Sequence, residues 1–284
     1  MRLLVTGASG LLGAAIAREF HGAAEVVPRD HAALDVSNEA AVDAAFADLR
    51  PDVVINCAAY NDVDGAEDHA QDALHVNAFG VLALARAAAR QNAALVHYSS
   101  DFVFDGKTET PYTEEDPPNP RGVYGASKLL GDWFALDGPA SWVLRVESLF
   151  GVPAPGGTRV GSLGTIVGRI RAGEEVPVFV DRTVSPSYTA DVAAATRAVV
   201  ERRPAPGLYH CVNTGAATWK EIALEAARLL GLPARIKPIT LETASLKAPR
   251  PKYCALSNAR LAAAGIAMPP WQEGLRRYLE SLNR

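Results

Sequence analysis

What most restricts the fold of this chain is a rhythm, in which short apolar runs of strand length alternate with longer stretches of helical period as far as about residue 150. The first run, LLV, ends at Thr6-Gly7, and Leu11, Leu12, Ala15, Ile16 and Phe20 follow at helical spacing. Further strands are expected near Val26, over 52–56 (DVVIN), at Ala94–Tyr98 and at Ser141–Val146, with helices at Glu39–Leu49, 66–91 and 123–136. Strands separated by helices need crossover connections, which yield a parallel sheet covered on both faces. The expected class is therefore α/β, a Rossmann-type doubly wound parallel sheet.

After Gly151 the rhythm loosens into GVPAPGGTRVGSLG, a helix to Arg171 and a short strand over 176–180. A helix over 189–202 is placed to return to the sheet. A strand at 207–212, a helix at 218–231 and a last amphipathic helix from Trp271 to about Leu282 complete the reading. The expected division gives 1–150 to a dinucleotide-binding domain, with 187–204 returning to it. Segments 151–186 and 205–284 form a smaller α/β substrate-binding lobe.

Composition removes several classes of function. A net charge of -4 and the lack of any Lys/Arg run give no electrostatic case for nucleic acid. No apolar run approaches the roughly 20 residues a membrane helix needs, and the three apolar residues between Arg2 and Thr6 are too few for a signal-peptide core. Cys57, Cys211 and Cys254 are odd in number and scattered, which points to a reducing, cytoplasmic setting. Among the histidines no pair has zinc-site spacing, His69 and His75 lying six apart. No metal is expected, and the chain is expected to act as a monomer or homodimer.

TGASGLLG sets Gly7, Gly10 and Gly13 between the first strand and the first helix. Glycines there let the backbone turn and approach a pyrophosphate, whose charge is stabilised by the free N–H groups of the helix start. The acid that usually holds the adenosine ribose has its counterpart in Asp30, while the neighbouring Arg29 suits a 2'-phosphate. NADPH and NADH both remain open. Asp35 and Val36 are placed to reach the adenine, and Ala58, Ala59 and Tyr60 lie at the carboxyl end of the third strand, where ligands of open α/β sheets sit.

Tyr124 and Lys128, in VYGASK, open a helix one turn apart and so share a face. A cation near a phenol lowers its pKa, so the pair is expected to be able to trade a proton. The fourth strand ends HYSSDFVFDG and brings Ser99 and Ser100 to the same edge of the sheet. A hydroxyl, a phenol and an ammonium together suit movement of a hydride and a proton to or from a carbonyl.

Through TGASGLLG, INCAAYNDVDGAED, HVNAFG, VHYSSDFVFDG, PYTEEDPPNPRGVYGASKLLGD, VDRTVSPSYTADVA, GLYHCVNTGAATWKEIA and APRPKY, the chain resembles the dTDP-4-dehydrorhamnose reductase family of extended short-chain dehydrogenase/reductases. That resemblance implies Tyr124 as proton donor to a 4-keto oxygen, Lys128 at the ribose, and Ser100 hydrogen-bonded to the substrate oxygen where the family usually has threonine. It further implies Gly10, Leu11 and Leu12 at the pyrophosphate, Ala59, Tyr60 and Asn61 at the cofactor, and Asn77 shaping the site through backbone contacts. Asp101 and Arg250 are expected at the nucleotide-sugar substrate, with Lys252 a second candidate for its phosphates. Two departures stand out. The family commonly reads RTSW where this chain reads RVES, which replaces a tryptophan by Ser148 and introduces Glu147. Ala15 stands where some members carry a glutamate that holds a metal at a dimer contact. Alternative readings are a regulatory subunit like the β subunit of methionine adenosyltransferase, or a reductase or epimerase of another nucleotide sugar.

Overall fold

β1 (Arg2–Thr6) shows how the core is divided: Leu3 and Val5 point into one apolar cluster and Leu4 into another. Successive side chains of a strand face opposite sides, so a strand apolar at every position must be covered twice. β3 (Val53–Asn56) repeats the division, with Val53 and Ile55 on one side and Val54 on the other. With β2 (Glu25–Arg29), β4 (Ala94–Ser100), β5 (Ser141–Val146) and the strand Gly207–His210 they form a six-stranded sheet. The order across it is β2, β1, β3, β4, β5 and Gly207–His210, and every neighbouring pair is parallel. The computed structural model describes residues 1–154, 156–157 and 160–283.

α1 (Leu11–Glu19) and the helix Thr189–Arg202 pack together over the face that carries Leu3, Val5 and Ile55. α2 (Glu39–Leu49) and the helix Gly80–Gln91 cover the other face. Because the chain steps outward from β1 to β2 and then returns to β3 on the opposite side, a crevice opens beyond the carboxyl ends of β1 and β3.

A separate cluster forms around Phe150, Ile166, Val178, Trp219, Ile222 and Leu275. Here the strand Glu175–Phe179 pairs in parallel with Arg235–Ile239, and the helices Gly161–Arg171, Trp219–Leu230 and Trp271–Ser281 pack around it. Two expectations need correction. The strand Gly207–His210, assigned from sequence to the second lobe, is an edge of the main sheet beside β5; Tyr209 sits in the cluster below α1. The stretch 66–91 is also not one helix: Gly65–Asp68 and Ala70–Leu74 lead into a π turn at His75–Phe79 before Gly80–Gln91. Among the described residues no helix is long and apolar enough to cross a membrane.

Candidate active site

The turn after β1 requires glycine for a steric reason. Gly7 has φ +62°, and a Cβ there would come within 2.6 Å of the Cys57 and Ala58 backbone. At Gly13 a Cβ would reach Ala8 Cα at 2.8 Å. The chain thus passes closely beneath the end of β3 and enters α1 through Gly10, with no side chain capping the first turn and no acid within it. Its open N–H groups border a cavity of about 460 Å³, which Gly10, Leu11, Leu12 and Gly13 line. A backbone cradle that a methyl group would fill, at an uncapped helix start, fits the pyrophosphate of a dinucleotide.

Behind the cavity runs a buried polar chain. Thr6 Oγ1 and the Ala58 N–H donate to Asn56 Oδ1 at 2.6 and 3.1 Å, which fixes the amide so that its Nδ2 donates to His97 Nδ1 at 3.1 Å. Burial, aided by the Lys128 charge, holds His97 well below its ordinary pKa, so the ring is neutral and its hydrogen is on Nε2. Lys128 Nζ is 3.5 Å from that nitrogen and donates instead to the Tyr98 carbonyl at 2.6 Å. Burial lowers Lys128 to about 8, against the opposing pull of the Asp132 carboxylate.

Tyr124 enters on the helix Val123–Leu136, its ring edge-on to Phe102 with centroids 5.5 Å apart. Burial, with the charge of Asp101 behind it, pushes the phenol above its usual range, and the Ser100 hydroxyl opposes this. This reverses the sequence expectation of a phenol acidified by Lys128. The physical reason is burial of the phenol first and the placement of charges second: the ammonium is engaged by the Tyr98 carbonyl, while the Asp101 carboxylate stands near the phenol. Ser100 Oγ donates to Asp101 Oδ1 at 2.9 Å and accepts the Phe102 N–H at 3.2 Å. Arg182 and Arg250 both lie over the Phe102 ring, at 5.3 and 5.6 Å from its centroid.

A family model described as the RmlD substrate binding domain matches residues 1–284. The chain belongs to the dTDP-4-dehydrorhamnose reductase (RmlD) family. A dTDP-4-dehydrorhamnose reductase of Streptomyces griseus is 38% identical over 293 residues, covering 99% of this chain and 94% of the relative. A probable dTDP-4,6-dihydroxy-2-methyloxan-3-one 4-ketoreductase of Streptomyces antibioticus is 37% identical over 281 residues, covering 97% and 94%. Among solved structures, the dTDP-4-dehydrorhamnose reductase of Bacillus anthracis in complex with NADP superposes with a TM-score of 0.93 at 31% identity, covering 99% of both chains.

Set against this RmlD-family frame, the residues singled out from sequence separate into two groups. The cavity is lined by Gly10, Leu11, Leu12, Gly13, Ala58, Ala59, Asn61, Ser100, Asp101, Tyr124, Lys128 and Arg250. Gly7 shapes the turn from outside that wall. Arg29 closes β2, and Asp30 caps the next turn by accepting the Ala33 N–H at 2.9 Å. Asp35 accepts from Ser37, and Val36 is packed against Gly80. Asn77 is fully buried away from the cavity; its amide grips both backbone groups of Tyr60, at 2.8 and 3.1 Å, and Ser127 Oγ at 3.0 Å. It ties the end of β3 to the Tyr124 helix, so its action is on the frame. Lys252 is exposed and outside the cavity wall.

Sequence reasoning marked Glu147 only as an added charge beside Ser148, and it missed Arg182 and Trp219 as wall residues. For Trp219 a signal existed: Thr218 and Glu221 form a capping box, which places the tryptophan on the first turn of the helix Trp219–Leu230. Ser148, where the family commonly has tryptophan, lines the cavity with φ +43°.

Proposed function

We propose that this chain reduces the 4-keto group of a nucleotide-linked 6-deoxy sugar with NADPH, converting dTDP-4-dehydro-L-rhamnose to dTDP-L-rhamnose. The observation that supports this above others is the convergence of Ser100, Tyr124 and Lys128 on the cavity that also holds the Gly10–Gly13 cradle. NADPH is favoured over NADH by Arg29 at the end of β2, where a guanidinium suits a 2'-phosphate, and by the NADP bound to the Bacillus anthracis relative. When bound, NADPH supplies the hydride that C4 of the sugar accepts.

The chain's own groups do the rest. Tyr124, kept protonated by burial, gives its phenolic proton to the alkoxide oxygen as charge develops there. Ser100 holds the same oxygen, Lys128 as an ammonium holds the nicotinamide ribose, and Arg250 meets the diphosphate. Residues 1–150 with 187–204 and the strand Gly207–His210 form the cofactor lobe in this reading, and the remainder the substrate lobe. The protein acts as a monomer or a homodimer in this reading. Three unpaired cysteines favour the cytoplasm as its setting.

The relative from Streptomyces antibioticus keeps a second sugar in view, because its name describes a 4-ketoreductase of a different keto sugar. Ser148 in place of the ring favours the regulatory-subunit reading to the extent that substrate contact is lost. One assay separates these: NADPH absorbance followed with dTDP-4-dehydro-L-rhamnose and a panel of related ketones, for the parent and Tyr124→Phe. Turnover by the parent with a loss of about a hundredfold or more in the variant is expected. An unchanged rate in the variant removes the phenol from the mechanism. No turnover with any ketone, joined to co-purification of a partner enzyme, transfers the assignment to the regulatory reading.

A further inference from the structure

Directly behind Ser100 lie two carboxyl groups and one guanidinium, largely shut off from solvent. Asp101 and Glu147 are buried, and Arg182 Nη2 is 3.6 Å from Asp101 Oδ2. Carboxylate oxygens of Asp101 and Glu147 and the Cys254 sulfur lie within 4.8 Å of one another. Glu147 Oε2 accepts the Ser185 N–H at 2.6 Å, yet Glu147 Oε1 and Asp101 Oδ2 are buried with no hydrogen-bond partner. Two buried carboxyls so close cannot both ionise at low cost, and one guanidinium balances one negative charge. A cation among them is disfavoured, because Arg182 already occupies the approach to Asp101 and donates to Cys254 at 3.5 Å.

The neighbouring hydroxyl makes this count matter. Ser100 Oγ has one hydrogen and two lone pairs, one of which already accepts the Phe102 N–H. While Asp101 is charged, that hydrogen goes to Asp101 Oδ1, and Ser100 offers a carbonyl oxygen only a lone pair. When Asp101 holds a proton, the carboxyl donates to Ser100 and frees the serine hydrogen for the substrate. We propose that Asp101 and Glu147 hold one proton between them around Arg182, and that this proton lets Ser100 donate to the keto oxygen. Glu147 is then a positioning residue, acting through Asp101 and Ser100, and this role rests on the reductase reading above. No proton is consumed: it moves within the pair as the substrate oxygen arrives and returns when the product leaves.

The surroundings agree. Burial, then the charge of Asp101, raises Glu147 well above the usual carboxylate range, and burial raises Asp101 against the pull of Arg182. The other titratable groups facing the pair are Tyr124 from its helix and Tyr253 and Cys254 from the C-terminal segment. Burial pushes all three upward, so they stay neutral near pH 7 and leave Arg182 as the counter-charge.

Glu147→Gln is the test, since Gln still accepts from Ser185 but carries no ionisable proton. The parent's kcat/KM for the keto sugar should fall as pH rises and the pair loses its proton. The variant should be about tenfold slower at pH 7 and should keep only the decline that follows loss of the Lys128 charge near pH 8. Superimposable pH profiles overturn the proposal. Infrared spectroscopy decides the same point without turnover or the variant's folding: the ligand-free parent should show a protonated-carboxyl C=O band at pH 7 that disappears on alkaline titration. Absence of the band overturns the pair, as does its full persistence in a folded Glu147→Gln protein. Failure of the parent to reduce any ketone counts against the reductase reading, while the infrared band still reports on the pair.

Discussion

Lys128→Met should make the protein more stable while removing its activity. The Lys128 ammonium is buried, and its pKa falls from 10.5 to about 8, chiefly through burial. At about 1.4 kcal/mol per tenfold change in proton affinity, that corresponds to about 3 kcal/mol of folding free energy given up at pH 7 to keep the charge in place. The variant also loses the 2.6 Å hydrogen bond to the Tyr98 carbonyl, which costs about 1 kcal/mol, so the net expectation is a gain of about 2 kcal/mol. The sign follows from proton counting. Between pH 8 and 10.5 the unfolded chain still binds the lysine proton and the folded one does not, so the parent's stability rises with pH through that window. The variant's advantage should therefore shrink from pH 7 to pH 10. Urea denaturation of both proteins at the two pH values measures it. A variant no more stable than the parent at pH 7, or an advantage independent of pH, would refute the argument that function here retains a costly buried charge.

Three further outcomes follow from the geometry. Gly13→Ala places a methyl 2.8 Å from Ala8 Cα, and overpacking of this kind costs about 1–3 kcal/mol; thermal denaturation should show the loss, and fluorescence titration should show weaker NADPH binding. Asn77→Ala removes the amide that grips the Tyr60 backbone and Ser127, so stability should drop by about 2–3 kcal/mol in urea titration, with kcat/KM falling as the Tyr124 helix loses its tie. Arg29→Ala should raise the KM for NADPH about tenfold and leave that for NADH nearly unchanged. Equal effects on both cofactors would remove Arg29 from the 2'-phosphate.

Elements that depend on neighbouring residues were legible from sequence. Leu3 to Val5, Val53 to Ile55 and the run at Leu95 are apolar at every position because the sheet is covered on both faces. The π turn at His75–Phe79 was not legible, since its hydrogen bonds span only one residue more than those of the flanking helices. Nor was the sheet membership of Gly207–His210, because a four-residue strand carries no mark of which neighbour it will pair with.

In the site the same boundary applies. Gly7, Gly10 and Gly13, together with Tyr124 and Lys128 one helical turn apart, follow from local chemistry that any reader of the sequence can apply. The direction of the Tyr124 pKa shift does not. It depends first on burial of the phenol and then on Asp101 standing near it, while Tyr98 offers Lys128 a carbonyl; β4 and the turn that follows it supply these groups only once the helix Val123–Leu136 docks against them. Glu147 and Arg182, 35 residues apart in the numbering, meet in the same way behind Ser100. Backbone turns and helical faces are set by residues a few positions apart. Charge state is set by burial and by groups brought together from distant parts of the chain, and only the folded molecule supplies those.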